Sequence, residues 1–146
     1  MTQEEKNLLH KDLCSRLPYG VKVNYSDVAC TIDSIGNDAE ILLLGEDGEW
    51  YPKLEEGLFV SIEKCKPYLF PLSSMTEEQK QELEDMGWSF DNFEINNINE
   101  CLGTYREYVS HSDCFTLIDW LNKYHFDYRG LIPMGLAKDA TSLNIY

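Results

Sequence analysis

The sequence predicts an α+β fold: an N-terminal helix, an antiparallel β-meander or small barrel-like sheet, two further helices and an irregular C-terminal tail. Three observations carry this reading. Leu8, Leu9, Leu13 and Leu17 recur at helical spacing near the N-terminus. From Val21 to Leu72 apolar residues alternate with polar ones, and turn-forming residues interrupt them about every ten positions. Beyond residue 73 the helical period returns, most clearly from Phe115 to Tyr124.

The first helix occupies residues 2–16. Thr2 is its N-cap and Glu5, three residues on, its capping-box partner; Pro18 and Gly20 stop it. Val21, Val23 and Tyr25 begin the alternation, and Val28, Cys30 and Ile32 continue it. Gly36-Asn37-Asp38 reads as a turn before a mostly buried strand from Glu40 to Leu44. Asp47-Gly48 is the strongest hairpin signal, because Gly takes the positive φ that a tight turn demands. Trp50 and Tyr51 form a short strand that Pro52 ends or holds at an edge. Leu58, Val60 and Ile62 alternate again, and Tyr68 to Leu72 forms a last short strand.

A second helix starts near Thr76, with Thr76 and Gln79 or Ser74 and Glu77 as its capping pair, and Gly87 ends it. Its apolar face is thin: Met75, Leu83 and Met86. Trp88, Phe90, Phe93 and Ile95 suggest extended structure, and Cys101 to Val109 reads as a strand or a short helix. The third helix runs from about Asp113 to Tyr124 and is apolar around more than half its circumference, which places it in the core. The tail from Phe126 reads as loop with one short turn. The organisation expected is a single domain over residues 1–146: helix at 1–17, a β-rich part at 21–72, and a mixed helical part at 73–146 packed upon it. A hydrophobic fraction of 43% and an aromatic fraction of 12% suffice for a packed core.

The formal charge is −14, from 26 acids against 12 bases. Nine acids and one base lie between Asp27 and Glu56, and nine acids and two bases between Glu77 and Glu107. Such a field repels a polyanionic backbone or an anionic membrane, so neither a direct nucleic-acid contact nor a membrane contact is expected. It would attract a basic protein. Solvated faces that keep the chain dispersed are the plainer account. The longest apolar run, Ile41 to Leu44, is far too short to span a bilayer. Met1 to Arg16 lacks the apolar stretch of a signal peptide. Five widely spaced cysteines with no Cys-x-x-Cys pattern read as reduced thiols in a cytoplasm, most of them small core residues.

Cys65-Lys66-Pro67-Tyr68-Leu69-Phe70-Pro71-Leu72-Ser73-Ser74-Met75-Thr76-Glu77-Glu78 resembles the "VKPYLRPLSSMTEEE" segment of a family of small uncharacterised bacterial and prophage-borne proteins. The run from Asp119 to Ile132 resembles that family's "DWLNxHHFDYRGLI" ending, and Leu17 to Val23 is similar to it too. Phe70 stands where a basic residue is common, and Tyr124 where a second histidine is common. The resemblance implies kinship with mobile-element proteins. It brings no activity, so it assigns no functional residues.

The residues themselves support no catalytic, cofactor or metal assignment. Cys101, His111 and Cys114 are the one grouping with zinc-ligand residue types, and a fourth ligand is missing. Cys–His pairs can be composed from five thiols and His10, His111 or His125, but no motif surrounds any of them. Nothing singles out two of the 26 carboxylates as an acid–base pair. Gly45-Glu46-Asp47-Gly48 is an acidic hairpin that would repel phosphate.

Two groups are candidate contact residues. His125, Tyr128 and Arg129 form the densest mixture of aromatic and basic groups, and Arg129 suits a carboxylate or phosphate. The alternative is that Phe126 and Tyr128 pack on the core while Arg129 pairs with Asp127 or another acid. Trp50 and Tyr51, beside Asp47 and Glu49, resemble an aromatic protein-binding surface rimmed by charge, or else ordinary edge packing. The reading that follows is a non-enzymatic accessory module with an acidic surface for a basic protein. In one form it is a decoy whose carboxylates imitate phosphate spacing. The alternatives are a small enzyme or ligand-binding domain with its site at His125–Arg129, and a nucleic-acid-binding barrel, which the acidity opposes.

Overall fold

The computed structural model describes residues 1–51, 59–88 and 111–146, the side chains of residues 111–114 excepted. The expected extended segment at 89–95 and the element at Cys101 to Val109 lie outside the described residues.

The first helix, α1 (Gln3–Arg16), begins where its capping box predicts: Thr2 Oγ1 accepts from Glu5 N–H at 3.1 Å, and Glu5 Oε2 accepts from Thr2 N–H at 2.6 Å. Such a cap contributes about 1 kcal/mol. The buried face is not the all-leucine stripe expected. It is Leu9, Asp12, Leu13 and Arg16, spaced i, i+3, i+4, i+7. Leu8 and Leu17 only flank the core.

The sheet follows. Strands β1 (Lys22–Tyr25), β2 (Val28–Ile35) and β3 (Glu40–Leu44) form an antiparallel meander. Val23, Cys30, Ile32, Ile41 and Leu43 point inward, as the alternation predicts. Asp33 is the extra residue of a bulge between the Ile32–Leu43 and Ser34–Leu42 pairs. The outer edge of β3 carries two short strands in line, β4 (Trp50–Tyr51) and β5 (Phe59–Ser61). A single 3₁₀ turn at Ile62–Lys64 then brings β6 (Lys66–Leu69) back against β1, which curls the sheet. The last strand therefore starts and ends earlier than Tyr68 to Leu72, because residues 72–74 form another 3₁₀ turn.

The tail is more structured than its Gly and Pro content suggests. Lys138–Asp139 forms β7, parallel to β6, and completes a mixed sheet of seven strands. Tyr146 then reaches back: its hydroxyl donates to Tyr68 O at 2.9 Å and accepts from Lys22 N–H at 3.1 Å. Lys22 Nζ donates to Ile145 O at 2.6 Å.

Helix α2 (Glu77–Asp85) starts with the Thr76–Gln79 capping box. It ends in a Schellman motif, with Gly87 N–H bonded to Glu84 O, Trp88 N–H to Leu83 O, and Gly87 at φ 92°. Of its thin apolar face Leu83 is buried and Met86 is exposed. Helix α3 (His111–Lys123) buries Leu117, Trp120 and Leu121, but Phe115 is 69% exposed, so its apolar surface is not all turned inward.

Two clusters of buried side chains result. One lies between α1, the concave side of the sheet and the tail, centred on Leu9, Leu13, Val23, Ile41 and Leu69. The other lies between α2 and α3, centred on Leu83, Trp120, Leu121 and Phe126. A parallel bridge between Phe70 and Phe126 ties the end of β6 to the chain leaving α3.

The β1–β2 turn holds non-glycine residues at positive φ, Ser26 at 49° and Asp27 at 63°. A two-residue hairpin of this hand requires positive φ at both central positions, where Asn and Gly fit best. Ser26→Asn should therefore stabilise the fold by roughly 0.5–1 kcal/mol. A denaturation midpoint at or below that of the wild type would contradict the strain read from this turn.

Candidate functional site

His125, Tyr128 and Arg129 come together, and they meet groups from distant elements. Asp12 and Arg16 of α1 are fully buried. Arg16 Nε donates to Asp12 Oδ2 at 2.8 Å and Nη2 to Oδ1 at 3.1 Å. Nη2 also donates to the Phe126 carbonyl at 2.8 Å, so it links α1 to the chain beyond α3. Arg129 Nε donates to the same Asp12 Oδ1 at 3.0 Å, and Arg129 Nη2 to the Tyr128 hydroxyl at 2.9 Å. That hydroxyl in turn donates to Asn122 Oδ1 at 3.0 Å. The two guanidiniums lie over the Tyr128 ring, 5.3 Å from its centroid for Arg16 and 4.8 Å for Arg129.

The acid that partners Arg129 is thus Asp12, not Asp127. Asp127 caps the next turn instead: its two oxygens accept from Leu131 N–H at 2.8 Å and Ile132 N–H at 2.7 Å. Sequence reasoning passed over Asp12, Arg16, Asn122 and Tyr146. The signal for the first two was present, an Asp–Arg pair at i,i+4 in register with Leu9 and Leu13.

His125 is the C′ residue of α3. Its N–H bonds to Asn122 O and Phe126 N–H to Leu121 O, again a Schellman motif, here with a histidine at φ 57°. Its ring stacks on Tyr146 at 3.9 Å. Burial, and then the nearby Arg16, push its pKa down to about 4. Burial of the Tyr146 hydroxyl pushes that group up to about 12, although the residue as a whole is 43% exposed. The hydroxyl end is inserted and the main-chain end faces solvent. Arg16 Nη1 and His125 Nδ1 are buried without a partner among the described residues.

Asp47, Glu49, Trp50 and Tyr51 belong to the β3–β4 hairpin. Asp47 Oδ1 accepts from Glu49 N–H at 3.1 Å and shapes the turn, with Gly48 at φ 75°. Trp50 is 41% exposed, whereas Tyr51 is half-buried and meets the edge of Tyr25 at 6.0 Å. The β1–β2 tip lies beside this hairpin, and shallow clefts run between them. One of about 430 Å³ touches Lys22, Thr31, Leu44 and Gly48; another of about 590 Å³ touches Asp27, Val28, Asp47 and Tyr51. Ala29, Gly45 and Glu46 line both.

Of the thiols, Cys30 and Cys65 are buried and Cys14 is exposed. Burial and the neighbouring Cys30 push Cys65 up to about 12. Cys14 Sγ stands 3.8 Å from His10 Nε2, one helical turn away, but burial of the thiol raises its pKa, opposite to what a nucleophile needs. Among the described residues no three His, Cys, Asp or Glu side chains are grouped to hold a metal ion, and no helix is long and apolar enough to cross a membrane. Cys101 and the side chains of His111 and Cys114 lie outside the described residues. Comparison with family models, with curated proteins and with solved structures returns no match.

Two outcomes are expected. Asp12→Ala leaves two guanidiniums facing each other in the interior and should cost about 3–5 kcal/mol, whereas Lys80→Ala, which removes the surface pair with Glu77, should leave the midpoint near that of the wild type. Equal losses in urea melts would show that the buried pair has no special weight. For His125, the unfolded chain binds a proton below its ordinary pKa of 6.5 and the folded chain does not until about 4. Stability present above pH 6.5 is therefore lost as the pH falls from 6.5 toward 4, by up to about 3 kcal/mol. His125→Asn, which tolerates the left-handed backbone and does not titrate, should flatten that part of the profile relative to the wild type. Superimposable pH profiles would contradict the assignment.

Proposed function

We propose that the chain is an accessory protein-interaction module without chemistry of its own, whose acidic surface captures a basic protein. The observation that carries this reading is the state of the carboxylates on the sheet and its turns. Asp33, Asp38, Glu40, Glu46 and Glu49 are exposed and form no ion pair with a described residue. Asp27 has only a 3.7 Å contact with Lys138. Exposed like charges on a sheet cost folding energy through mutual repulsion, and a complementary partner relieves that repulsion on binding. They also steer encounter, which makes association fast and salt-sensitive. A decoy that occupies a nucleic-acid-binding groove is one concrete form. The resemblance of residues 65–78 and 119–132 to prophage-borne proteins supports a mobile-element origin, and reduced Cys30 and Cys65 in the core suit a cytoplasmic setting.

A second reading, a small-ligand site at His125–Arg129, has one observation in its favour: the buried, unpartnered Arg16 Nη1 and His125 Nδ1. Against it, Asp12 already accepts from Arg16 Nε and Nη2 and from Arg129 Nε, and the Tyr128 hydroxyl accepts from Arg129 Nη2 and donates to Asn122.

The test is capture from host lysate on the immobilised chain at low and at high salt. A basic protein should bind at low salt, elute at high salt, and be lost with the variant carrying Asp33→Lys, Glu40→Lys and Glu46→Lys. Recovery of no basic partner at either salt would count decisively against the module.

A further inference from the structure

We infer that the binding element of this module is the trough between the β1–β2 and β3–β4 hairpin tips, and that it takes an extended lysine- or arginine-rich segment carrying apolar side chains. This rests on the acidic-module reading and narrows it to one place and one partner chemistry. Of the two clefts, the one of about 590 Å³ carries the argument: Asp27, Val28, Glu46 and Tyr51 line it and no base does, whereas Lys22 lines the other. Its lining includes apolar side chains. Val28 is 37% exposed, and Tyr51, on the same face of the sheet, presents a half-buried ring. Charge stands at the sides. Glu46 is exposed without an ion pair among the described residues, and Asp27 is held only loosely by Lys138.

The acidic depression on α2 lacks this combination. The outer face of α2 offers Glu77, Glu78, Glu82 and Asp85 around a depression of about 460 Å³, but no apolar residue lines it. Carboxylates alone hold lysines through water and discriminate little. In the trough, a leucine or valine on the partner can lose water against Val28 and the Tyr51 ring while the flanking cations stay at the rim. Their long aliphatic stems then cover the same apolar side chains. The trough is also built on rigid elements. The β1–β2 tip is a two-residue turn, and the β3–β4 tip is closed by Gly45 N–H to Glu49 O at 2.9 Å and Gly48 N–H to Gly45 O at 3.0 Å. A preformed acceptor of this kind loses little conformational entropy on binding.

The experiment titrates the ¹⁵N-labelled full chain at low salt with a lysine-rich peptide of about seven residues containing two leucines, and with the same peptide carrying glycine in place of both. The length matches an extended span of about 23 Å. The leucine peptide should shift the amides of Val28, Ala29, Gly45 and Tyr51, and should bind roughly tenfold more tightly than the glycine peptide. Asp27→Asn removes a carboxylate while keeping a residue suited to positive φ, and Glu46→Gln removes another without altering size; together they should weaken binding on the order of tenfold. Equal affinity for the two peptides, or shifts confined to α2, would overturn the trough and leave the acidic module standing. Failure of both peptides to bind would overturn the trough as well, and the lysate capture then decides the wider reading by itself.

Discussion

The fold depends on a buried carboxylate shared by two guanidiniums. Asp12 holds Arg16 through two hydrogen bonds and Arg129 through a third, with all three atoms of contact inside the protein or at its margin. Such a group is weak evidence for net stability, because removing charges from water costs several kcal/mol per ion. What it imposes is geometry. A leucine in place of Arg16 could pack in several ways, but the guanidinium must reach both Asp12 and the Phe126 carbonyl. It therefore fixes the rotation of α1 about its axis and the path of the chain leaving α3. It also stands where the two apolar clusters meet, so it sets how the α2–α3 layer sits on the sheet.

The segment from His125 to Ile132 makes sense in that light. His125 reverses the chain at the end of α3 in a left-handed conformation. Phe126 offers its side chain to the α3 cluster, its carbonyl to Arg16, and a bridge to Phe70. Asp127 caps the following turn, Tyr128 lies beneath the guanidiniums, and Arg129 completes the charge on Asp12. Nearly every polar group there has a structural partner. The density of chemistry-bearing residue types, which invites a ligand in the sequence, is in the fold a junction between four elements.

Local signals were legible where the physics is local. The capping boxes at Thr2 and Thr76, the Schellman glycine at Gly87 and the Asp47-Gly48 turn involve atoms within five residues of one another, and each lies where its pattern places it. The alternation in β1 to β3 was readable because one face of the sheet is buried. Long-range pairing was not readable. Nothing in Lys138-Asp139 announces a strand, because its partner β6 lies some seventy residues earlier and supplies the ladder. Asp12 and Arg16 were passed over for a related reason. A charged residue counts as solvent-facing unless its counter-charge is known, and Arg129 comes from the opposite end of the chain. His125 has no glycine-like signature, and the Tyr146 ring that stacks on it comes from the far end of the tail. Of the candidate contact residues, Asp47 and Glu49 are exposed as their type predicts, whereas Trp50 and Tyr51 divide between the two faces because adjacent strand residues must.

The same distribution shapes the surface. Arg16 and Arg129 face inward, Lys22 is held by Ile145 O, and Lys6 and Lys80 each serve one glutamate. The cations of the described chain are thus largely committed to structural contacts, while Asp33, Asp38, Glu40, Glu46 and Glu49 form no ion pair with a described residue. Redistributing the bases could have neutralised the sheet face at little cost, since exposed pairs contribute little either way. A bulge that turns Asp33 outward and a hairpin that carries Glu46 and Glu49 keep the negative field on a rigid support instead. Rigid support matters because carboxylates on a mobile loop would lose entropy on meeting a cation, whereas these are already held by the ladder beneath them. The buried junction and the acidic face are therefore two consequences of one allocation: opposite charges meet where geometry must be fixed, and one sign is left over on the exposed surface.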